Sequence, residues 1–131
     1  MSDSLSTQQI EALIEQGIAS FNKREFFEAH ELLETAWRAD SSQYKPLLQG
    51  IIQLSVGCYH ATRRNWKGAS TVLLRARKNL LLYLTTAYFV DTSQTLAQID
   101  QLLTEIGRVQ VSGDSAEILH FPQILFLHPP D

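Results

Sequence analysis

The chain has one cysteine, Cys58, so no intrachain disulfide can form. A lone cysteine in an apolar segment reads as a small buried hydrophobe rather than a reactive thiol. No run reaches the roughly 18 consecutive apolar residues that a membrane span requires. The opening Met1-Ser2-Asp3-Ser4 carries an acid and no basic stretch, which argues against a secretory signal. These absences together read as a cytoplasmic protein with no membrane association. No glycine-rich phosphate loop and no Gly-x-Ser-x-Gly elbow is present.

A further absence is local. Residues 41–90 hold seven bases and no acid. They are flanked by residues 1–40, with eight acids and three bases, and by residues 91–131, with six acids and one base. Two readings follow: acidic helices neutralise a basic one internally, or the basic block is an anion patch. The candidate patch is Arg63, Arg64, Lys67, Arg75 and Lys78, with Arg77 and Lys45 nearby. Lys67 falls near a helix start, where the dipole also attracts anions. The net charge of −3 disfavours broad nucleic-acid binding, because unpaired acids repel phosphate.

What is present is core-forming material. Of 131 residues 44% are hydrophobic and 19% charged, which fits one folded domain spanning 1–131. Ser6 with Gln9 makes a capping box, followed by Ile10, Leu13, Ile14, Gly17, Ile18 and Phe21 at helical spacing. This first helix should end near Asn22, a residue that tolerates a left-handed cap. A second helix is expected from Glu25 to Ala39, with Phe26, Ala29, Leu33, Ala36 and Trp37 inward. A third, over about 46–63 with Pro46 in its first turn, is apolar almost all round and should be central. Its Gly50 and Gly57 would allow a neighbouring helix to approach closely. A fourth helix is expected over about 66–88 and a fifth over about 94–106, with Gly107 as C-cap. The tail from about 113 to 131 is apolar and bracketed by prolines. It should lie extended over the helical body or over a partner.

An internal echo appears at a spacing of 40. Phe26, Ala29, Leu32, Leu33 and Ala36 align with Trp66, Ala69, Val72, Leu73 and Ala76. The fold class expected is therefore all-α, a compact bundle of about five helices arranged as stacked helical hairpins.

One polar constellation is set into these helices. At about 100° per residue, His30, Glu34 and Trp37 share one side of the second helix, with Glu31 displaced toward solvent. Gln49, Gln53 and His60 form a polar stripe on the third helix. If the two helices pair, His30 and Glu34 could face that stripe. One explanation is a buried hydrogen-bond network in which each imidazole is fixed by a carboxylate or amide. The other is a functional site. In that case His30, Glu34 and His60 would bind one divalent metal, or the His–Glu pair would act as a general base. The second histidine of the zincin pattern and the paired Glu-x-x-His of di-iron bundles are both missing. No cofactor is expected, and a divalent metal is the only candidate.

Phe21-Asn22, then Phe26-Phe27-Glu28-Ala29-His30-Glu31-Leu32-Leu33-Glu34 through Trp37, resembles the opening motif of the domain of unknown function 309 family. The resemblance continues in Leu48-Gln49-Gly50-Ile51-Ile52-Gln53-Leu54, in His60 and in Asn65 to Ala69, and covers about residues 18–85. It implies a compact all-α fold and no activity. Its motif residues in this chain are His30, Glu31, Glu34, Trp37, Gln49, Gly50, Gln53 and His60. Where the family tends to have glycine, this chain has Arg24 and, in the second turn, Arg64. Those turns either use other backbone geometry here, or Asn22 and Asn65 take the left-handed role. The function expected is a non-enzymatic scaffold that binds a protein partner or self-associates. The alternatives are a metal-binding or hydrolase-like protein using His30, Glu34 and His60, and anion or RNA binding through 63–78.

Overall fold

A computed structural model describes residues 4–84, 90–113 and 119–125. Among the described residues are five α-helices: α1 (Thr7–Asn22), α2 (Phe26–Ala39), α3 (Lys45–Thr62), α4 (Trp66–Leu80) and α5 (Thr92–Ser112). Each packs on its neighbour in sequence. The expected capping box at Ser6 and Gln9 starts α1, with both reciprocal hydrogen bonds formed. The central helix is α3: Leu47, Leu48, Ile51, Leu54, Cys58 and Ala61 are all shut off from solvent. Burial pushes the Cys58 thiol well above its ordinary pKa, so it stays a neutral, inert hydrophobe.

The spacing-40 echo is a structural repeat. In the α1–α2 turn, Lys23 N–H donates to Ala19 and Ser20, Arg24 N–H to Phe21, and Glu25 N–H to Ser20. In the α3–α4 turn, Arg63 N–H donates to Tyr59 and His60, Arg64 N–H to Ala61, and Asn65 N–H to His60. Every donor and acceptor is shifted by forty residues. The helix crossings repeat too. A Cβ added at Gly17 would stand 2.6 Å from Leu33 Cγ, and one added at Gly57 would stand 2.7 Å from Leu73 Cγ. The missing side chains let α2 and α4 seat a leucine directly on the backbone of the preceding helix.

Three expectations need correction. The left-handed residues of the two turns are Arg24 (φ 64°) and Arg64 (φ 59°), not Asn22 and Asn65. The asparagines are drawn to other work. The Asn65 side chain caps α4 by accepting from Gly68 N–H at 3.1 Å, and the Asn22 side chain holds the tail. Next, α5 is longer than 94–106. It starts two residues earlier, where the Asp91 side chain accepts from Gln94 N–H, and it runs past Gly107 to Ser112. The buried Val109 draws the helix on, and the left-handed cap is Gly113 (φ 72°). Last, α4 stops at Leu80 and tightens into a 3-10 turn, Leu81–Tyr83, whose Tyr83 hydroxyl donates to Gln43 O at 2.8 Å. Residues 85–88 of the helix expected to 88 lie outside the described residues.

Of the tail expected to lie extended, residues 119–125 cross the body, and residues 114–118 and 126–131 lie outside the described residues. Leu119, Pro122 and Ile124 are buried, and the Phe121 ring lies 5.3 Å from that of Phe26. Among the described residues no helix is long and apolar enough to cross a membrane.

Candidate functional site

The polar constellation resolves into separate parts. On α2, His30 Nε2–H donates to Glu34 Oε2 at 2.9 Å, and the other carboxylate oxygen takes the Arg38 guanidinium. This His–Glu–Arg row runs at i, i+4 and i+8 along one helix face, as the periodicity requires. It is not buried: the side chains of His30 and Glu34 remain 27% and 31% exposed. Glu31 points to solvent beside Glu28 and Thr35, on a shallow surface depression. Glu28, close to Glu25, has its carboxyl raised above the usual value, first by a hydrogen bond that its protonated form donates to Glu25 and then by repulsion between the two acids.

The stripe on α3 turns toward α4 rather than α2. Asn79 Nδ2 donates to Gln53 Oε1 at 2.7 Å in a half-buried position. His60 Nδ1 lies 3.4 Å from Asn65 Nδ2, in the turn that starts α4. Gln49 is exposed. The reason lies in the glycines. Gly50 and Gly57 share this side of α3 and bring α4 against it, so Gln53, which lies between them, meets Asn79 of α4. No hydrogen bond among the described residues joins His30 or Glu34 to Gln49, Gln53 or His60. Nor does any group of three or more His, Cys, Asp and Glu converge to hold a metal ion among the described residues. His30, Glu34 and His60 are therefore not placed as one ligand set.

What links the two histidines is a chain of rings that spacing alone did not reveal. His30 lies 5.8 Å from Phe27, Phe27 lies 5.7 Å from Tyr59, and Tyr59 lies 6.2 Å from His60. The Arg63 guanidinium stands 5.7 Å from the Tyr59 centroid and extends the row. Phe27 is an exposed aromatic. The signal was its place in Phe26-Phe27: consecutive residues on a helix are about 100° apart, so only one could face the core. Trp37 is half-buried, with its indole N–H shielded and unpartnered among the described residues, and with Lys45 Nζ 4.5 Å above its ring.

The basic candidates occupy the surface. Arg63 and Arg64 form the α3–α4 turn, Lys67 stands in the first turn of α4, and Arg75 and Lys78 follow along its outward face, all exposed. Arg77 Nε instead donates to Asp100 Oδ1 of α5 at 2.8 Å, an instance of basic and acidic helices neutralising each other.

Comparison with known proteins adds a family resemblance and no activity. A curated relative, the uncharacterized protein YpuF of Bacillus subtilis (strain 168), is 41% identical over 51 residues. That stretch is 38% of this chain and 29% of YpuF, so the chain spans under a third of that relative's length. No solved structure matches. The family model described as Domain of unknown function (DUF309) matches residues 14–72. That segment, similar to the family over a little under half of the chain, holds both repeated turns, the His30–Glu34 pair and the Phe27–Tyr59 contact.

Proposed function

We propose that this protein is a non-enzymatic helical scaffold that docks a protein partner on the outward face of α4 and of the 3-10 turn that follows it. The observation behind this reading is a strip of exposed leucines. Leu74 is 56% exposed and Leu82 70%, with Leu81 and Leu84 beside them. Leu74 and Leu81 are seven residues apart, two helical turns, and so lie on one face. Lys67, Arg75 and Lys78 frame that face and are exposed. An apolar strip ringed by cations suits a partner that presents apolar side chains ringed by carboxylates, such as an acidic amphipathic helix. Charge would steer the encounter and the leucines would hold it. In this reading the basic block serves a protein partner rather than phosphate.

The test is a Leu74→Glu/Leu82→Glu double substitution in the full chain. Wild type and mutant are compared by sedimentation at micromolar concentration and by crosslinked capture from a lysate. Complexes formed by the wild type and lost in a mutant with unchanged helicity support the reading. A wild type that sediments alone, and captures the same proteins as the mutant, overturns it.

A further inference from the structure

Two side-chain amides hold the tail by its backbone. Ile124 N–H donates to Asn22 Oδ1 at 2.7 Å, and Asn22 Nδ2 donates back to Ile124 O at 2.9 Å. Gln123 N–H donates to Gln98 Oε1 at 2.6 Å, and Gln98 Nε2 donates back to Gln123 O at 3.1 Å. Each amide thus satisfies both polar groups of one residue. Gln123 and Ile124 are consecutive. In an extended chain successive residues turn their peptide groups to opposite sides, so the segment is gripped from the α1 end on one side and from α5 on the other. Asp91 N–H continues the grip on Leu125 O at 3.1 Å, and Gln123 Nε2 reaches Asn22 O at 3.0 Å.

Side chains supply the rest of the fit. Leu119 and Ile124 are buried, while His120, Gln123 and Leu125 point outward. The Phe121 ring meets the Phe26 ring and has the Arg24 guanidinium 5.3 Å from its centroid. Arg24 is also the residue held at φ 64°. Upstream, both Glu105 oxygens take His120, one its backbone N–H and the other its ring Nδ1, each at 2.6 Å.

We infer that this groove between the end of α1, the start of α2 and α5 is a binding site for an extended peptide, which the chain's own residues 119–125 occupy in cis. Main-chain hydrogen bonds accept any extended backbone, and alternate side chains in pockets select among sequences, which is the division of labour in extended-peptide recognition. The chemistry that fits is an aromatic, a proline, any residue and an aliphatic, in that order, as in Phe121-Pro122-Gln123-Ile124. A partner segment of that pattern takes the place of the tail. This site is separate from the leucine strip of α4, and either can fail without the other.

The probe is a dye-labelled peptide of residues 118–125, Ile-Leu-His-Phe-Pro-Gln-Ile-Leu, titrated by anisotropy into the full chain. Against wild type it competes with a tethered tail at an effective concentration of about millimolar, so binding is weak. In a Phe121→Asp/Ile124→Asp full chain, whose own tail no longer fits, the peptide should bind at least about tenfold tighter. Adding Asn22→Ala and Gln98→Ala should remove that gain. So should N-methylation of the peptide at the residue matching Ile124, which deletes one hydrogen bond and leaves the side chains intact. Should the released mutant misfold, the wild type decides. Excess peptide should then strip hydrogen-exchange protection from the Gln123 and Ile124 amides of the chain. A released mutant that binds no tighter, with wild-type protection unmoved by millimolar peptide, overturns the proposal. A dimer formed by exchange of tails, with no peptide taken up, overturns it as well and assigns the groove to a second copy.

Discussion

Gly57 lies directly beneath Leu73: a Cβ built on the glycine would stand 2.7 Å from Leu73 Cγ and Cδ2. Leu73 is fully buried. Gly57→Ala should therefore overpack the α3–α4 crossing. Overpacking costs about 1–3 kcal/mol, against a gain of at most about 1 kcal/mol in helix propensity. The expected outcome is a net loss of about 1–2 kcal/mol in urea unfolding. Gly17→Ala should behave alike, since Gly17 stands in the same relation to Leu33. Gly107 is the control: nothing lies within 4 Å of a Cβ there, so Gly107→Ala should stabilise.

Arg24 and Arg64 are non-glycine residues held at positive φ. A left-handed conformation costs an L-residue roughly 1–2 kcal/mol, and glycine escapes that cost. Part of the gain returns through the extra freedom glycine has in the unfolded chain. Arg64→Gly should raise stability by about 1 kcal/mol by thermal or urea unfolding. Arg24→Gly should give less, because it also removes the guanidinium from over the Phe121 ring. Equal gains at both sites would mean that this contact contributes nothing.

The outline of the fold is legible in the sequence because it rests on short-range signals. Ser6 and Gln9 mark the first helix, the 3.6-residue periodicity marks the others, and the Phe26/Trp66 register marks the paired hairpins. The misses have one physical character: each depends on a partner far along the chain. Asn22 reads as a local cap, but its side chain serves Ile124, about a hundred residues on. Gly107 reads as a stop, but the buried Val109 carries α5 past it. Gln53 and His60 read as facing α2, but the glycines beside them draw α4 close instead. The Phe27–Tyr59 contact joins two helices, and no spacing within one helix announces it.

The Gln53–Asn79 pair can be weighed directly. It crosses from α3 to α4 at a half-buried site. Gln53→Leu strands the Asn79 amide, and Asn79→Leu strands Gln53. Each should cost about 1–2 kcal/mol. The double replacement removes both polar groups and should cost less than the sum, with a coupling of about 1 kcal/mol in a double-mutant cycle. Additive losses would show that the two amides do not depend on one another.

Glu105 gives the tail a pH dependence. Burial by itself raises its pKa. The hydrogen bonds from the His120 backbone and ring and from Gln101 outweigh that effect and hold it below the usual glutamate value. The folded state thus favours the ionised carboxylate more than the unfolded state does. That stability is complete above the ordinary glutamate pKa and drains as pH falls through the lowered one. Glu105→Gln should cost about 1–2 kcal/mol at neutral pH, from the loss of charge-assisted bonds. The gap between mutant and wild type should close in acid. A gap that stays constant well below the ordinary glutamate pKa would show that the charge plays no part in latching His120.

The His30–Glu34–Arg38 row is the part of the motif whose role stability can decide. An exposed pair at i and i+4 on a helix contributes about 0.2–0.5 kcal/mol, and solvent screens it further. His30 adds a tilted ring contact with the exposed Phe27. His30→Ala should accordingly cost less than about 1 kcal/mol in urea unfolding, well below Gly57→Ala in the same assay. A small cost would mean that the fold does not need the imidazole, and that the row of His30, Phe27, Tyr59 and His60 is a surface open to recognition. A cost above about 2 kcal/mol exceeds what an exposed pair supplies. It would make His30 a structural member of the α2–α3 contact through the Phe27 and Tyr59 rings, and it would remove the motif from the search for a binding site.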